Sequence, residues 1–213
     1  MVTGTFDRWQ TARYNAYRWR AELSVVKKVA LAVGMACLTG LLAQVRVALP
    51  FTPVPITGQT FAVLLAGILL GKSWGGLSQA IYVVLGVAGV PWFNGWVGGA
   101  SHLAGPTGGY LIGFIAAALF IGYFTDRYLK SRKLPNLFAL LVMANFILIY
   151  VPGLLQLNLW LNLVKGQGVG ISRTLTMGFT PFIIGDIVKI IAATAIGWSL
   201  IPKQPYGNEA ERP

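Results

Sequence analysis

Asp186 and Lys189 are the two charges that lie well inside an apolar run of this chain. Because they are three residues apart, they project from one face of a helix. A charge at bilayer depth costs roughly 2.5 to 3.5 kcal/mol on insertion scales, so such residues usually line a cavity or pair with each other. Facing a pocket, Lys189 supplies a point charge for a ligand carboxylate, while Asp186 accepts from ligand N–H groups or orients the lysine. The alternative is an ion pair that only fixes helix packing.

The second candidate region is the stretch 86–113, GVAGVPWFNGWVGGASHLAGPTGGYLIG, which is rich in glycine and aromatic residues and has no Asp, Glu, Lys or Arg. Irregular backbone near a bilayer is tolerated where it is buried in protein or lines a cavity. One interpretation is therefore that this stretch lines a small-molecule site, beside the rings of Trp92, Phe93, Trp96 and Tyr110. The other is a re-entrant or interfacial loop whose tryptophans anchor at the membrane surface.

Other chemistries find little support. His102 has no second His, Cys or carboxylate at metal-ligand spacing, so we expect no metal site. The sequence has no Ser-His-Asp arrangement or paired carboxylates, which argues against an enzyme. Residues 66–73, AGILLGKS, formally fit a relaxed phosphate-loop pattern. Apolar residues replace the glycine-rich backbone of such a loop, however, and no acidic residue follows a strand to hold magnesium, so we do not expect nucleotide hydrolysis.

The composition places these residues in a membrane. The chain has 213 residues, of which 55% are hydrophobic and 11% charged. No Asp, Glu, Lys or Arg occurs in residues 73–125 or 134–164, which leaves room for several spans of about 20 residues. We therefore predict an all-α integral membrane protein in which the glycine-rich outer loop region forms the ligand site. Its six predicted transmembrane helices are 25–48, 60–70, 74–89, 109–124, 135–164 and 179–201.

The charge distribution predicts the orientation. Lys and Arg concentrate on the side that carries both termini, so this side is predicted to be cytoplasmic and the stretch 86–113 to lie outside. Residues 1–24 form a basic and aromatic tail with no secretory signal. We expect it to be loosely ordered rather than an interfacial helix, because its basic and apolar positions do not separate onto two faces. Residues 25–202 form the membrane domain, and residues 203–213 a cytoplasmic tail.

Local signals refine the spans. The prolines in residues 50–59 exclude a helix there, and Gly71-Lys72-Ser73 predicts a turn. Pro152-Gly153 predicts a kink. The fifth span contains the polar residues Gln156, Asn158 and Asn162, which we expect to face protein or water. Cys37, the single cysteine, can form no intramolecular disulfide and is expected to be a small buried residue.

Four blocks of the sequence resemble the BioY family, the biotin-binding S components of energy-coupling factor (ECF) transporters. They are PVPITGQTFAVLLAG (53–67), GVPWF (89–93), LAGPTGGYLIGF (103–114) and PFIIGDIVK (181–189). The blocks occur in the family's order, and the resemblance covers residues 28–200. It implies a six-helix fold that captures biotin on the outer side, with no enzymatic activity and no cofactor.

The resemblance also implies a ligand site. It assigns biotin's carboxylate to Lys189, helped by Arg46, and the apolar part to Trp92, Phe93 and Tyr110. Leaving a ureido N–H or C=O buried and unpaired costs about 1 to 3 kcal/mol, so polar partners select the ligand. The implied ureido partners are Asp186, Asn94, Gln59 and the glycine backbone at Gly98, Gly99, Gly108 and Gly109.

The resemblance implies partner proteins that supply the energy for transport, because this chain has no ATPase site of its own. They are a transmembrane T component and two ABC-type ATPases that use ATP at the plasma membrane, although some family members lack dedicated partners. The small residues Ala32, Ala36 and Gly40 form a stripe that permits close helix approach, and we predict that it contacts the T component. The alternative functions are an S component for another small vitamin, an intramembrane enzyme and a structural membrane protein.

Overall fold

The computed structural model describes residues 2–205, with side chains from residue 8 onward. Its α-helices are α1 (Val2–Glu22), α2 (Val25–Gln44), α3 (Gln59–Val87), α4 (Ala100–Leu103), α5 (Gly108–Arg127), α6 (Leu134–Met143), α7 (Tyr150–Leu159), α8 (Ile171–Gly178) and α9 (Ile183–Leu200). The π-helical segment Ala144–Ile149 joins α6 and α7, and a second one, Trp160–Val164, extends α7, so that Leu134–Val164 is one apolar helix. The 3-10 helices are Leu129–Arg132 and Thr180–Phe182. Strands β1 (Arg46–Val47) and β2 (Ile56–Thr57) pair antiparallel, with Arg46 opposite Thr57.

Helix α3 contains two membrane spans. Gly71 has φ 75° and ψ −172°, a conformation that favours glycine. A Cβ placed on Gly75 would lie 2.7 Å from the Ala66 carbonyl oxygen, although nine residues of straight helix span about 13 Å. The chain therefore reverses at Gly71, and the two arms pack antiparallel. This confirms the predicted turn. With the other four helices long and apolar enough to cross a membrane, it also gives the six spans of the predicted fold class.

The carboxylate of Asp126 holds the Gly71 turn in place. The backbone N–H of Lys72 donates to Oδ2 of Asp126 at 2.8 Å. Arg20 lies 3.4 Å from Oδ1 of the same carboxylate and also donates to the carbonyl of Leu69 at 2.6 Å. An N–H that a phosphate loop would offer to a nucleotide is thus already bonded.

Helix α1 overturns the prediction of a loosely ordered N-terminal tail. Its Tyr17 is only 6% exposed, and the Tyr17 hydroxyl donates to the carbonyl of Ile68 at 3.3 Å. Trp9 and Trp19 are exposed on another side of the helix, and Arg18 pairs with Glu22 at 2.8 Å on a third. The helix therefore has three different surroundings, which is why a search for two opposed faces did not find it.

The predicted partner contact of α2 is wrong. Ala32 and Ala36 are fully buried within this chain, and a Cβ placed on Gly40 would lie 3.0 Å from Cβ of Trp92. The stripe of small residues is an internal seam that lets α2 approach α3 and the loop after it. Cys37, which we expected to be buried, is exposed on α2.

The remaining local predictions fare better. Between β1 and β2 the chain is not helical, and Thr52 ties it to α8 by donating to the Met177 carbonyl at 2.7 Å. At Pro152 the helix continues, after a π-helical segment that ends at Ile149, and the predicted kink stays a prediction. The three polar residues of this span face protein, as predicted, and their amides donate to Leu103 (Gln156), Thr174 (Asn158) and Val169 (Asn162).

Candidate functional site

A cavity opens among β2, the first turn of α3, the start of α5, the Ala144–Leu159 stretch and α9. Its empty space, including the mouth, is about 520 Å³. We call it the Lys189 cavity. Five predicted site residues line it, namely Gln59, Asn94, Tyr110, Asp186 and Lys189. The other lining residues are Val54, Pro55, Thr57, Thr60, Thr107, Leu111, Phe114, Ile149, Tyr150 and Phe182.

Asp186 is the centre of a buried polar network. It is 2% exposed, and its Oδ1 lies 2.8 Å from Nζ of Lys189. Its Oδ2 accepts from Nδ2 of Asn145 at 2.8 Å and from the Tyr150 hydroxyl at 2.6 Å. A buried ion pair is stable only when further hydrogen bonds satisfy it, and these donors supply them. Because protein donors already occupy the carboxylate, the geometry favours the interpretation that Asp186 orients the lysine.

Lys189 is the accessible member of the pair. Its side chain is 18% exposed, against 2% for Asp186. An ammonium has three N–H donors, and two of them face protein acceptors, Oδ1 of Asp186 and Oγ1 of Thr60 at 3.2 Å. Among the described residues, the third donor makes no further hydrogen bond. The arrangement is therefore a fixed cation in a pocket lined by both polar and apolar side chains, which suits a ligand with an anionic group.

Gln59 is held in place at the N-terminus of α3. Its Nε2 donates to the Tyr82 hydroxyl at 2.7 Å, and its Oε1 accepts from the Thr57 hydroxyl at 3.0 Å. The Tyr82 hydroxyl in turn donates to the carbonyl of Trp92 at 3.3 Å. The antiparallel packing of the two α3 arms is what brings Tyr82 to Gln59. The cavity wall thus presents a preoriented amide.

Asn94 lines the cavity from the glycine-rich loop. Its Nδ2 lies 3.2 Å from Nε2 of His102, and Oγ1 of Thr107 lies 3.3 Å from the same nitrogen. Burial lowers the pKa of His102, which favours the neutral ring, whose Nε2 accepts from the Asn94 amide. The His102 ring also stacks on Phe93, with centroids 4.8 Å apart. His102, predicted only as a loop residue, therefore positions two lining side chains.

Several predicted ligand residues do not reach the cavity. The Trp92 indole N–H donates to the Tyr82 carbonyl at 2.9 Å, and Phe93 is fully buried, with its ring edge-on to Tyr82 at 5.5 Å. Both aromatic residues support the wall from behind. Arg46 is exposed on β1. Its guanidinium lies against Gly95, since a Cβ placed on that glycine would be 2.5 Å from Nη1 of Arg46.

The four predicted ligand-binding glycines also have structural positions. Gly99 has φ 104°, and its N–H donates to the Gly86 carbonyl at 2.7 Å. A Cβ placed on Gly98 would lie 2.6 Å from the carbonyl oxygen of Val90. Gly108 and Gly109 allow the start of α5 to meet the carbonyl groups of Leu103 and Pro152 without a clash. The structure places none of these four among the lining residues.

Comparison with known proteins decides the family. A sequence profile described as the BioY family matches residues 12–205. The chain belongs to the BioY family. The match begins at residue 12, so it includes part of α1 that we had placed outside the resemblance. BioY membership, together with the apolar helices, makes this chain a multi-pass membrane protein and not an enzyme.

BioY relatives are similar over most of this chain. A probable biotin transporter BioY of Methanothermobacter thermautotrophicus is 50% identical over 147 residues, which cover 69% of this chain and 94% of that protein. The biotin transporter BioY of Thermotoga maritima is 36% identical over 160 residues, 72% of this chain and 85% of the relative. A solved structure of the S component for biotin from an ECF-type ABC transporter superposes with a TM-score of 0.73 at 25% identity. It covers 84% of this chain and 94% of the solved chain.

Sequence reasoning missed three residues of the network, Thr60, Asn145 and Tyr150. Thr60 follows Gln59 in the first BioY block, and this position was the available signal. Asn145 and Tyr150 are five residues apart, which places them on different faces of an ordinary α-helix. The segment between them is π-helical, and its i to i+5 hydrogen bonding brings such residues together. No periodicity in the sequence indicated that change.

Proposed function

We propose that this chain is a biotin-binding S component, which captures biotin from outside the plasma membrane and passes it inward. The observation that carries the proposal is the partly exposed Lys189 ammonium in the Lys189 cavity, found in a chain whose curated relatives are named as biotin transporters. The positive-inside distribution supports cytoplasmic termini and an outward-facing Lys189 cavity.

Biotin's three chemical parts match three parts of the cavity. We assign its carboxylate to Lys189 alone, because Arg46 lies away from the cavity wall. Its apolar chain and ring suit the lining side chains Leu111, Phe114 and Phe182, beside the Tyr110 ring. Its ureido group, with two N–H donors and one carbonyl, suits the lining amides and hydroxyls, which are Gln59, Asn94, Thr57 and Thr107.

We further propose that uptake is energised by partners, a transmembrane T component and two ABC-type ATPases. This assembly is supported by the similarity of this chain, over most of its length, to the solved S component of an ECF-type ABC transporter. The α2 seam is buried, so the surface that meets the T component lies elsewhere.

The direct experiment is calorimetry on the purified full chain in detergent. We expect saturable binding of biotin at one site and no binding of thiamine or riboflavin. Binding of another vitamin in place of biotin would make the chain a different kind of S component. Binding of no vitamin would contradict the proposal.

Lys189→Met tests the assigned role of the lysine. The methionine keeps an apolar stem of similar length and removes the charge, so biotin affinity should fall by roughly 10- to 100-fold, the value of a charged hydrogen bond. Affinity for an uncharged biotin amide should fall much less. Lys165→Met, at an exposed lysine, is the matched control. Equal losses for both ligands would mean that Lys189 holds the helix in place and does not bind the carboxylate.

A further inference from the structure

His102, the single histidine of the chain, lies in the short helix α4 beside the Lys189 cavity. Its backbone N–H donates to the carbonyl of Gly99 at 3.2 Å, and its own carbonyl accepts from the N–H of Gly105 at 3.1 Å. Its ring stacks on the buried ring of Phe93, with an angle of 19° between the two planes. Backbone and ring are both held, so the imidazole points in a fixed direction.

The contact with Asn94 determines which ring nitrogen carries the proton. Nε2 of His102 lies 3.2 Å from Nδ2 of Asn94, and an amide nitrogen is only a donor. Nε2 is therefore the acceptor, and the neutral ring carries its proton on Nδ1. The Thr107 hydroxyl, 3.3 Å from the same Nε2, either donates or accepts. The neutral histidine thus fixes the direction of the Asn94 amide.

This direction decides what Asn94 offers to the cavity that it lines. Its amide nitrogen is turned towards His102, and among the described residues its Oδ1 accepts no hydrogen bond. An amide free to rotate presents a donor or an acceptor with equal ease. Held by His102, Asn94 keeps its oxygen for a ligand, and the group that this oxygen recognises is an N–H.

Protonation of His102 reverses the arrangement. Both nitrogens of an imidazolium are donors, so the Nε2 proton faces the N–H of Asn94 and goes to the Thr107 hydroxyl instead. The Asn94 amide then loses its partner, or turns its oxygen towards His102 and away from a ligand. Burial lowers the pKa of His102, so the ring is neutral at neutral pH and changes only in more acidic solution.

The groups around His102 leave this titration to the histidine itself. The stretch 86–113 has no Asp, Glu, Lys or Arg, and α3 and α5 pack against α4. Histidine is the side chain whose ordinary pKa lies between pH 5 and 8. The other charged or titratable side chains of the surrounding elements and of the cavity are Tyr82 (α3), Tyr110 (α5), Arg46 (β1), and Asp186 and Lys189 (α9).

We propose that His102 is a positioning residue that fixes Asn94 as the acceptor of a ligand N–H and makes the affinity for the ligand fall in acidic solution. The inference rests on the proposed function, in which the ligand is biotin and the N–H belongs to its ureido group. The ligand's bond to Asn94 and the Asn94 bond to His102 form one chain and strengthen each other. Binding therefore favours the neutral ring.

The test is calorimetry on the full chain in detergent between about pH 7.5 and about pH 5. Biotin affinity should fall roughly fivefold over this range, the value of one neutral hydrogen bond. An uncharged biotin amide should show the same fall, which excludes titration of the ligand's carboxylate as the cause.

Two variants locate the titrating group. In His102→Gln an amide oxygen replaces Nε2 as the acceptor and does not titrate, so affinity should not vary with pH. Asn94→Ala keeps the histidine but removes the group that it positions, so the fall should disappear there too. Melting temperatures at both ends of the pH range show whether the variants are folded.

A second measurement needs no variant. The single histidine gives one set of imidazole nitrogen signals by NMR in isotope-labelled protein without an affinity tag. At neutral pH these signals should place the proton on Nδ1. The pKa of His102 from the same signals should be lower in the biotin complex than in the free protein, because the coupling between proton and ligand is reciprocal.

Constant affinity of the wild-type protein over this pH range would overturn the inference while leaving the proposed function intact. So would an equal fall in His102→Gln or in Asn94→Ala, or a proton on Nε2 at neutral pH. Absence of biotin binding at every pH would contradict the proposed function, and this inference with it.

Discussion

Helix α9 and the loop between α3 and α5 contribute to the Lys189 cavity in different ways. Both charged residues predicted on α9 line it. In the loop, Asn94 lines it, while its neighbours Trp92 and Phe93 support the wall from behind. A charge within an apolar span is stable in few places, so its position follows from its cost. Glycine and aromatic residues serve turns, packing and ligands alike, so their presence predicts a structured loop but not which side chain faces the ligand.

Asp186→Asn, which changes a charged residue of α9, is expected to have the largest effect. The substitution keeps the shape but leaves the Lys189 ammonium without its carboxylate, and breaking a buried pair costs about 3 to 5 kcal/mol. The substitution ranks first because it lowers biotin affinity as well as stability. Thermal unfolding in detergent and biotin calorimetry measure the two consequences, lower stability and weaker binding.

The double variant Asp186→Asn/Lys189→Met is the control for this prediction. It has no charge left at the site, so we expect it to recover part of the stability and none of the biotin affinity. A single Asp186→Asn variant as stable as the wild type would mean that the ion pair does not hold α9 in place.

Phe93→Ala is expected to have the next largest effect, and on stability. The Phe93 ring is fully buried, and truncation of such a ring costs about 3 to 5 kcal/mol. Trp96→Ala, in the same loop at 64% exposure, should change stability by no more than about 0.5 kcal/mol. Thermal unfolding distinguishes them. If Phe93→Ala folds normally and loses only biotin affinity, the ring contacts the ligand after all.

The parts of the structure that the sequence predicted are those with a local physical cause. The turn at Gly71 depends on a left-handed conformation that glycine supplies, and the Asp186 and Lys189 pair depends on the cost of charge in lipid. The unpredicted parts depend on tertiary context. Tyr150 meets Asp186 only because a π-helical segment changes the helical phase.

The α2 seam illustrates the same limit. A stripe of small residues predicts that some helix approaches closely, but it does not say to which chain that helix belongs. The structure assigns the approach to α3 of the same chain. The face that we predicted for a partner is therefore unavailable to one.

Ala36→Leu, in the α2 seam, is expected to have a moderate effect on stability. Ala36 is fully buried, so a larger side chain should cost about 1 to 3 kcal/mol through overpacking. Ala30→Leu makes the same chemical change at an exposed position of the helix and should be nearly neutral. Melting temperatures of the two variants measure the difference. Normal stability of Ala36→Leu, with transport lost in cells, would restore the partner interface that the structure contradicts.

Asn94→Ala is expected to have the smallest effect, and it separates the two neighbours in the loop. Asn94 lines the cavity and makes a hydrogen bond to His102 at 3.2 Å. Its loss removes one neutral hydrogen bond to the ligand, about 1 kcal/mol, so biotin affinity should fall roughly fivefold. The melting temperature should change little, because the Thr107 hydroxyl still bonds to His102. Thus Phe93→Ala should lower the stability of the protein, whereas Asn94→Ala should lower its affinity for biotin, although the two residues are adjacent.

If Asn94→Ala instead destabilises the protein and leaves affinity unchanged, Asn94 supports the wall as Phe93 does, and the loop's contribution to the ureido site rests on Thr107.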